Sequence, residues 1–165
     1  MKSSETKNLI SIARLICEES GSKLTEKRQH VLEVLFQLNT PVSAYELTDH
    51  YNSIIGAPIT AMSVYRILEF LEAAKLVHRL NSINKYIICA PTFGPWKHQP
   101  PLFLICKSCQ SIKKIELAND LIKTLSEQAK SAGFPILGSQ IELNSICNDC
   151  SSQKHKKNSS GGLSI

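Results

Sequence analysis

Two Cys-x-x-Cys pairs, Cys106/Cys109 and Cys147/Cys150, constrain this chain more than any other feature, because 37 residues lie between them. Four thiolates set tetrahedrally at ~2.3 Å suit Zn²⁺ and close its coordination shell, which makes the site structural. For both pairs to reach one ion, the intervening chain must fold back on itself. "LFLIC" leads into Cys106 as a strand, "SIKKIEL" reads as a second strand, and "LANDLIKTLSEQAKSAG" reads as a helix closed by Gly133. "FPILGSQIELNSIC" reads as a long strand, kinked near Gly138, that delivers Cys147. The expectation is a small α+β domain whose sheet brings the two pairs together.

Other uses of the thiols fit less well. A redox Cys-x-x-Cys typically opens a helix in a βαβ fold and needs one pair only; here Cys106 ends a strand and the second pair would be idle. Zinc deaminases need His-x-Glu and Pro-Cys-x-x-Cys, and neither occurs. A four-thiolate site also leaves no position for a reacting water. No catalytic residue is assigned, and the chain reads as a non-enzyme. No apolar run reaches the ~18 residues that span a membrane. The N-terminus, with Glu5, Glu18 and Glu19, lacks the apolar core of a signal peptide. A cytoplasmic protein with reduced or metal-bound cysteines is expected.

The preceding segment has a different pattern. Residues 1–7 are polar and expected to fray. From Leu9, the apolar spacing Leu9, Ile12, Ala13, Ile16, Cys17 is helical, which places Cys17 in a core. A second helix opens at Thr25, buries Val31, Leu32, Leu35 and Leu38, and is stopped by Pro41. Ser43 and Glu46, in capping-box spacing, open a short third helix of about Ala44 to Tyr51. Thr60 to Ala73 forms a fourth, with Val64, Ile67, Leu68 and Leu71 on one stripe and Tyr65, Arg66 and Glu69 opposite. "LVHRL" and "KYIICA" then read as a β-hairpin.

The last three of these helices followed by a hairpin is the order of a winged helix-turn-helix. "PTFGPWKHQPP", with four prolines and a glycine, marks a boundary. The expected organisation is α+β throughout: a winged helix over 1–90, a linker over 91–101, the small α+β domain over 102–150 and a disordered Ser/Lys/Gly-rich tail over 151–165.

Charge adds little. The net +5 is spread so that residues 1–90 hold 10 basic and 9 acidic groups and residues 91–165 hold 9 and 5. Any DNA site must therefore rest on local placement.

A second set of metal ligands is scattered more widely. His78 and Cys89 lie on the two strands of the hairpin. A two-residue turn at Ile83-Asn84 would set them directly opposite; a four-residue loop would make them diagonal neighbours on one face. His98 lies in the linker, and Glu116 closes the second strand of the C-terminal domain. Taken singly, these are a wing surface residue, a core thiol, a loop histidine and a strand-end charge.

"LTEKRQHVLEVL", "SAYEL", "SVYRILEFLEAAKLVHRL", "NKYIICA" and the paired Cys-x-x-Cys units, in this order, resemble the ferric-uptake-regulator family, with its zinc uptake regulator branch the nearest match. The resemblance spans about Leu9 to Cys150. It implies a dimeric, metal-dependent repressor that pairs a winged helix-turn-helix with a dimerisation domain. Residue by residue, it implies structural zinc at Cys106, Cys109, Cys147 and Cys150, and regulatory zinc at His78, Cys89 and His98. Tyr65 and Arg66 match the recognition-helix face, and Tyr45 a helix-three residue that approaches DNA.

Two departures stand out. "WKHQPPLFLIC" has a single His where the iron branch is His-rich. Lys114 stands where the family has its carboxylate ligand, and Glu116 lies two residues on. A shift of two keeps the same strand face but displaces the ligand by about 6–7 Å.

The thiolate Cys89 among nitrogen and oxygen ligands favours Zn²⁺ over Fe²⁺ or Mn²⁺. The expected function is a zinc-responsive repressor that binds near-palindromic, double-stranded operators as a homodimer, with two zinc ions per chain. Zinc would fasten the two halves so that two recognition helices are correctly spaced. Arg66 is the expected guanine contact, Tyr65 a phosphate or thymine contact, and Lys27 and Arg28 phosphate contacts. The alternatives are an iron- or manganese-responsive repressor on the same fold, a thiol redox protein, and a zinc-bearing interaction module with no DNA role.

Overall fold

The computed structural model describes residues 2–89, 101–137 and 140–152, divided between two units, Met1–Pro95 and Trp96–Ile165. The linker histidine His98, the kink at Gly138 and residues 153–165 of the tail lie outside the described residues.

The first unit runs α1 (Lys2–Glu19), α2 (Glu26–Leu38), α3 (Ala44–Ile55), α4 (Ala61–Ala73), β1 (Val77–Leu80) and β2 (Lys85–Ile88). Its core gathers one stripe from each helix: Leu9, Ala13 and Cys17 of α1, Val31, Leu32 and Leu35 of α2, Leu47 and Tyr51 of α3, and Val64, Leu68 and Leu71 of α4. Cys17 is fully buried, and burial pushes its thiol up, as expected of an inert core cysteine.

Three boundaries differ from the sequence reading. Helix α1 extends back to Lys2, because nothing in its first turn breaks a helix. Helix α2 ends at Leu38, before Pro41 can act, because Asn39 adopts the left-handed conformation (φ 47°) and its N–H returns to the Leu35 carbonyl. Helix α3 continues a turn beyond Tyr51, to Ile55, where Gly56 at φ 69° ends it.

The wing is the antiparallel pair β1–β2, with Leu80 opposite Lys85 and His78 opposite Ile87. Val42 adds a further bridge: its N–H donates to the Tyr86 carbonyl (3.0 Å) and its carbonyl accepts from the Tyr86 N–H (2.7 Å). The chain two residues before α3 is thereby stitched to the wing.

The second unit holds β3 (Leu102–Cys106), β4 (Ile112–Ile115), α5 (Asn119–Ser131) and β5 (Ile141–Ser145). The sheet order is β4-β3-β5, antiparallel between β3 and β4 and parallel between β3 and β5. A parallel pair needs a crossover of a dozen or more residues, and α5 lies in it. Gly133 (φ 82°) closes α5: its N–H bonds the Lys130 carbonyl and the Phe134 N–H bonds that of Ala129. The expected long final strand is shorter. Only Ile141–Ser145 pairs with β3, while residues 134–137 form no strand.

Candidate metal centre and nucleic-acid interface

Parallel pairing explains how cysteines so far apart in sequence meet. Strands β3 and β5 run the same way with Cys106 opposite Ser145, so both Cys-x-x-Cys pairs leave the sheet at the same end. The first is a tight knuckle: the Gln110 N–H donates to the Cys106 carbonyl (2.9 Å), the Cys106 N–H to that of Ser111 (2.9 Å), and Gln110 is left-handed at φ 59°. The Lys107 N–H ties this knuckle to the Ser145 carbonyl (2.9 Å). The second pair opens a helical turn over 148–152, with the Ser151 N–H on the Cys147 carbonyl.

The four sulfurs lie within 4.8 Å of one another. Cys109 Sγ and Cys147 Sγ are 3.7 Å apart, far longer than a disulfide at ~2.05 Å. Four ligands held tetrahedrally at ~2.3 Å would be about 3.8 Å apart. The spacing therefore fits one tetrahedral ion.

The electrostatics agree. The Cys147 backbone N–H donates to Cys106 Sγ (3.4 Å), and this, with the amides of its own knuckle, lowers the Cys106 thiol to about 6. Cys109 is lowered chiefly by the Ser111 hydroxyl, 3.1 Å from its sulfur. Cys150 is pushed up to about 12, first by Cys147 and then by Cys109. Backbone amides thus stabilise part of the thiolate set, and only a cation would neutralise the whole.

The second set of predicted ligands is reached only in part. The loop between β1 and β2 is four residues long, so His78 pairs with Ile87 and the Cys89 N–H donates to the Leu76 carbonyl (2.9 Å). His78 and Cys89 are therefore diagonal neighbours on one face, not directly opposed. Glu116 is exposed, one residue beyond the end of β4. Lys114 pairs with Phe103 and is exposed.

On the first unit, α4 turns Val64, Leu68 and Leu71 inward and leaves Arg66 and Glu69 exposed. Thr60 caps it, accepting from the Ser63 N–H. Tyr65 is half-buried and meets Tyr45 of α3 edge-on, ring centroids 6.1 Å apart. Tyr45 is 65% exposed. Lys27 is exposed at the start of α2. Arg28, beside it, is engaged internally: its guanidinium lies over the Phe70 ring and donates to the Lys23 carbonyl at 2.6 Å.

Two positioning contacts escaped the sequence reading. Asn52 bonds both polar groups of Ile59, donating from Nδ2 to the carbonyl (3.3 Å) and accepting the N–H on Oδ1 (2.8 Å), which fixes the turn that aims α4. Lys85 Nζ lies 3.5 Å from Glu46, tying the wing to the start of α3. An Asn near the end of a helix hints at the first; nothing local signals the second.

Comparison with known proteins follows this geometry. The sequence model described as the Ferric uptake regulator family matches residues 19–144. The chain is 30% identical over 152 residues to the Zinc uptake regulation protein of Escherichia coli (strain K12), covering 91% of this chain and 85% of that one. It is 29% identical over 155 residues to the Ferric uptake regulation protein of Campylobacter jejuni subsp. jejuni, covering 90% and 92%. Among solved structures it resembles a zinc uptake regulator complexed with zinc and DNA (TM-score 0.75, 27% identity, 91% of this chain and 97% of that one). It also resembles holo XcZur (TM-score 0.70, 30% identity, 89% and 99%).

Proposed function

This chain belongs to the ferric uptake regulator family, and from that premise we propose that it is a zinc-responsive transcriptional repressor. It binds near-palindromic operator DNA as a homodimer when zinc-loaded and controls zinc uptake genes. The observation that carries this reading is its similarity, along 91% of its length, to a zinc uptake regulator solved with zinc and DNA.

The parts have the following roles. Cys106, Cys109, Cys147 and Cys150 hold structural zinc, whose charge neutralises the crowded thiolates. His78 and Cys89 are the wing's ligands for regulatory zinc, and His98 and Glu116 complete that set. Arg66 contacts a guanine, Tyr65 and Tyr45 approach the DNA beside it, and Lys27 contacts phosphate. The dimer is supported by α5, which carries Leu121 and Leu125 yet buries no residue.

The similarity to a ferric uptake regulation protein favours one competing reading, an iron-responsive repressor on the same fold. Cys89 as a ligand favours zinc instead, since a thiolate is a soft ligand. The test is DNA binding titrated separately with Zn²⁺, Fe²⁺ and Mn²⁺, together with bound-metal counting. Zinc alone should restore binding at low concentration, with two ions per chain; a response to iron at lower concentration than zinc would sink the zinc assignment.

A further inference from the structure

Helix α4 presents one large apolar side chain outward, and neither the fold nor the proposed contacts give it a role. Met62, in the first turn, is 64% exposed. At about 100° per residue, Glu69 falls roughly 20° to one side of Met62 and Arg66 roughly 40° to the other. The buried stripe of Val64, Ile67, Leu68 and Leu71 lies on the opposite side of the helix. Met62 is therefore central in the sector that faces away from the core. The polar groups next to it are engaged: the Thr60 and Ser63 hydroxyls lie 3.0 Å apart, and Thr60 also caps the helix. The first turn thus offers a long, unbranched apolar side chain as its most prominent group.

Resting on the DNA-binding reading above, we infer that Met62 is a specificity-determining residue that reads a thymine C5-methyl group in the major groove. The N-terminal residues of a recognition helix are those that meet base edges. The thymine methyl is the apolar group on the major-groove edge of the bases, and an apolar side chain selects it. Methionine suits the task because its flexible, polarizable thioether fits an irregular surface without demanding one geometry. Arg66, one turn further on, reads guanine by hydrogen bonds, so α4 combines a polar and an apolar reader on one face.

The test begins by enriching duplexes from a random pool with the zinc-loaded full-length protein. Each thymine of the enriched site is then replaced by deoxyuridine, which removes only the methyl group, and affinities are compared for wild type, Met62→Ala and Met62→Leu. Wild type should lose about fourfold at one symmetric pair of positions, the value of a buried methyl. Met62→Ala, which removes the contact from both half-sites of the dimer, should lose about fifteenfold on the thymine site and show no further loss on deoxyuridine there, while Met62→Leu keeps the discrimination. Alanine preserves helix propensity, so thermal unfolding of the variant should match wild type. If Met62→Ala retains the full deoxyuridine penalty, or if wild type feels no methyl anywhere in the site, the inference is overturned while DNA binding stands. If zinc-loaded wild type enriches no duplex, the DNA-binding reading falls and takes the inference with it.

Discussion

The Arg28 guanidinium sits 3.5 Å from the centroid of the Phe70 ring, and its Nη1 donates to the Lys23 carbonyl at 2.6 Å. One side chain thus joins the loop after α1, the start of α2 and the C-terminal half of α4. A phosphate contact would have to give up these partners.

Arg28→Ala should therefore lower stability by about 2 kcal/mol, one cation–π contact and one charge-assisted hydrogen bond, read as a fall in the urea midpoint. Operator binding offers a second readout. If Arg28 positions α4, the variant's affinity falls with an unchanged slope of log K against log salt. A slope reduced by about one would mean that a phosphate contact had been lost.

The sulfur cluster makes a prediction about protons. Metal binding needs thiolates and releases whatever protons the thiols still hold. With Cys106 lowered to about 6, its thiolate is present at pH 7.5; with Cys150 raised to about 12, its proton is not yet lost. Binding of the first equivalent of zinc, at the four-cysteine cluster of the metal-free protein, should therefore release no more than about three protons at pH 7.5. As pH falls through 6, Cys106 takes up its proton and the release rises. Calorimetry in buffers of different ionisation enthalpy measures this, and four protons at pH 7.5 would contradict a preformed Cys106 thiolate.

How much of this was legible in the sequence depends on whether the governing interaction is local. The Ser43–Glu46 capping box and the Gly133 closure rest on neighbours three to five residues away, and each appears as expected. The Cys106/Cys147 meeting was readable because two matched pairs leave few ways to be satisfied. The register of the wing was not: "NSIN" accommodates either a two- or a four-residue loop, and the structure has the longer one, closed by Asn84 in the left-handed conformation (φ 50°). Asn39 in a left-handed cap likewise pre-empts Pro41. The sequence places Arg28 among the phosphate contacts and gives no sign of its internal partner, because Phe70 lies 42 positions away.

The capping box sets a stability test of its own. The Ser43 hydroxyl accepts from the Glu46 N–H, and the Glu46 carboxylate accepts from the Ser43 N–H. Those bonds to Ser43, followed by Lys85, hold the Glu46 carboxyl below its ordinary value. A lowered folded-state value means stabilisation that is full above the unfolded carboxylate pKa and lost as pH falls through the folded one. Ser43→Ala should cost about 1 kcal/mol at pH 7. Glu46→Gln should cost less there, because the site is solvent-screened, and its cost should shrink as pH falls through the lowered folded-state value. A Glu46→Gln deficit that persists unchanged at pH 2.5 would show that ionisation plays no part.

On the wing, Cys89→Ser removes the soft ligand while leaving a side chain of similar shape. The variant should stay folded and dimeric and keep one zinc per chain at the four-cysteine cluster. Its DNA affinity should no longer respond to zinc. Measuring affinity across a zinc-buffered series, with metal content determined on the same sample, checks both halves. Unchanged zinc dependence would remove Cys89 from the regulatory set.

Helix α5 carries the final prediction. Leu121 is 56% and Leu125 40% exposed, and no residue of the helix is buried. An amphipathic helix in this state gains most by covering its apolar face with another surface. In a two-fold dimer each side chain counts twice. If each Leu125 still has about 1 kcal/mol of apolar burial to gain, then Leu125→Ala weakens self-association roughly thirtyfold. Alanine's helix propensity leaves α5 intact. Sedimentation equilibrium on the zinc-loaded protein should show that shift with unchanged helix content by circular dichroism. A dimer of unaltered affinity would place the self-association surface elsewhere, on the free edges of β4 or β5, which flank β3 and have no further strand beside them among the described residues.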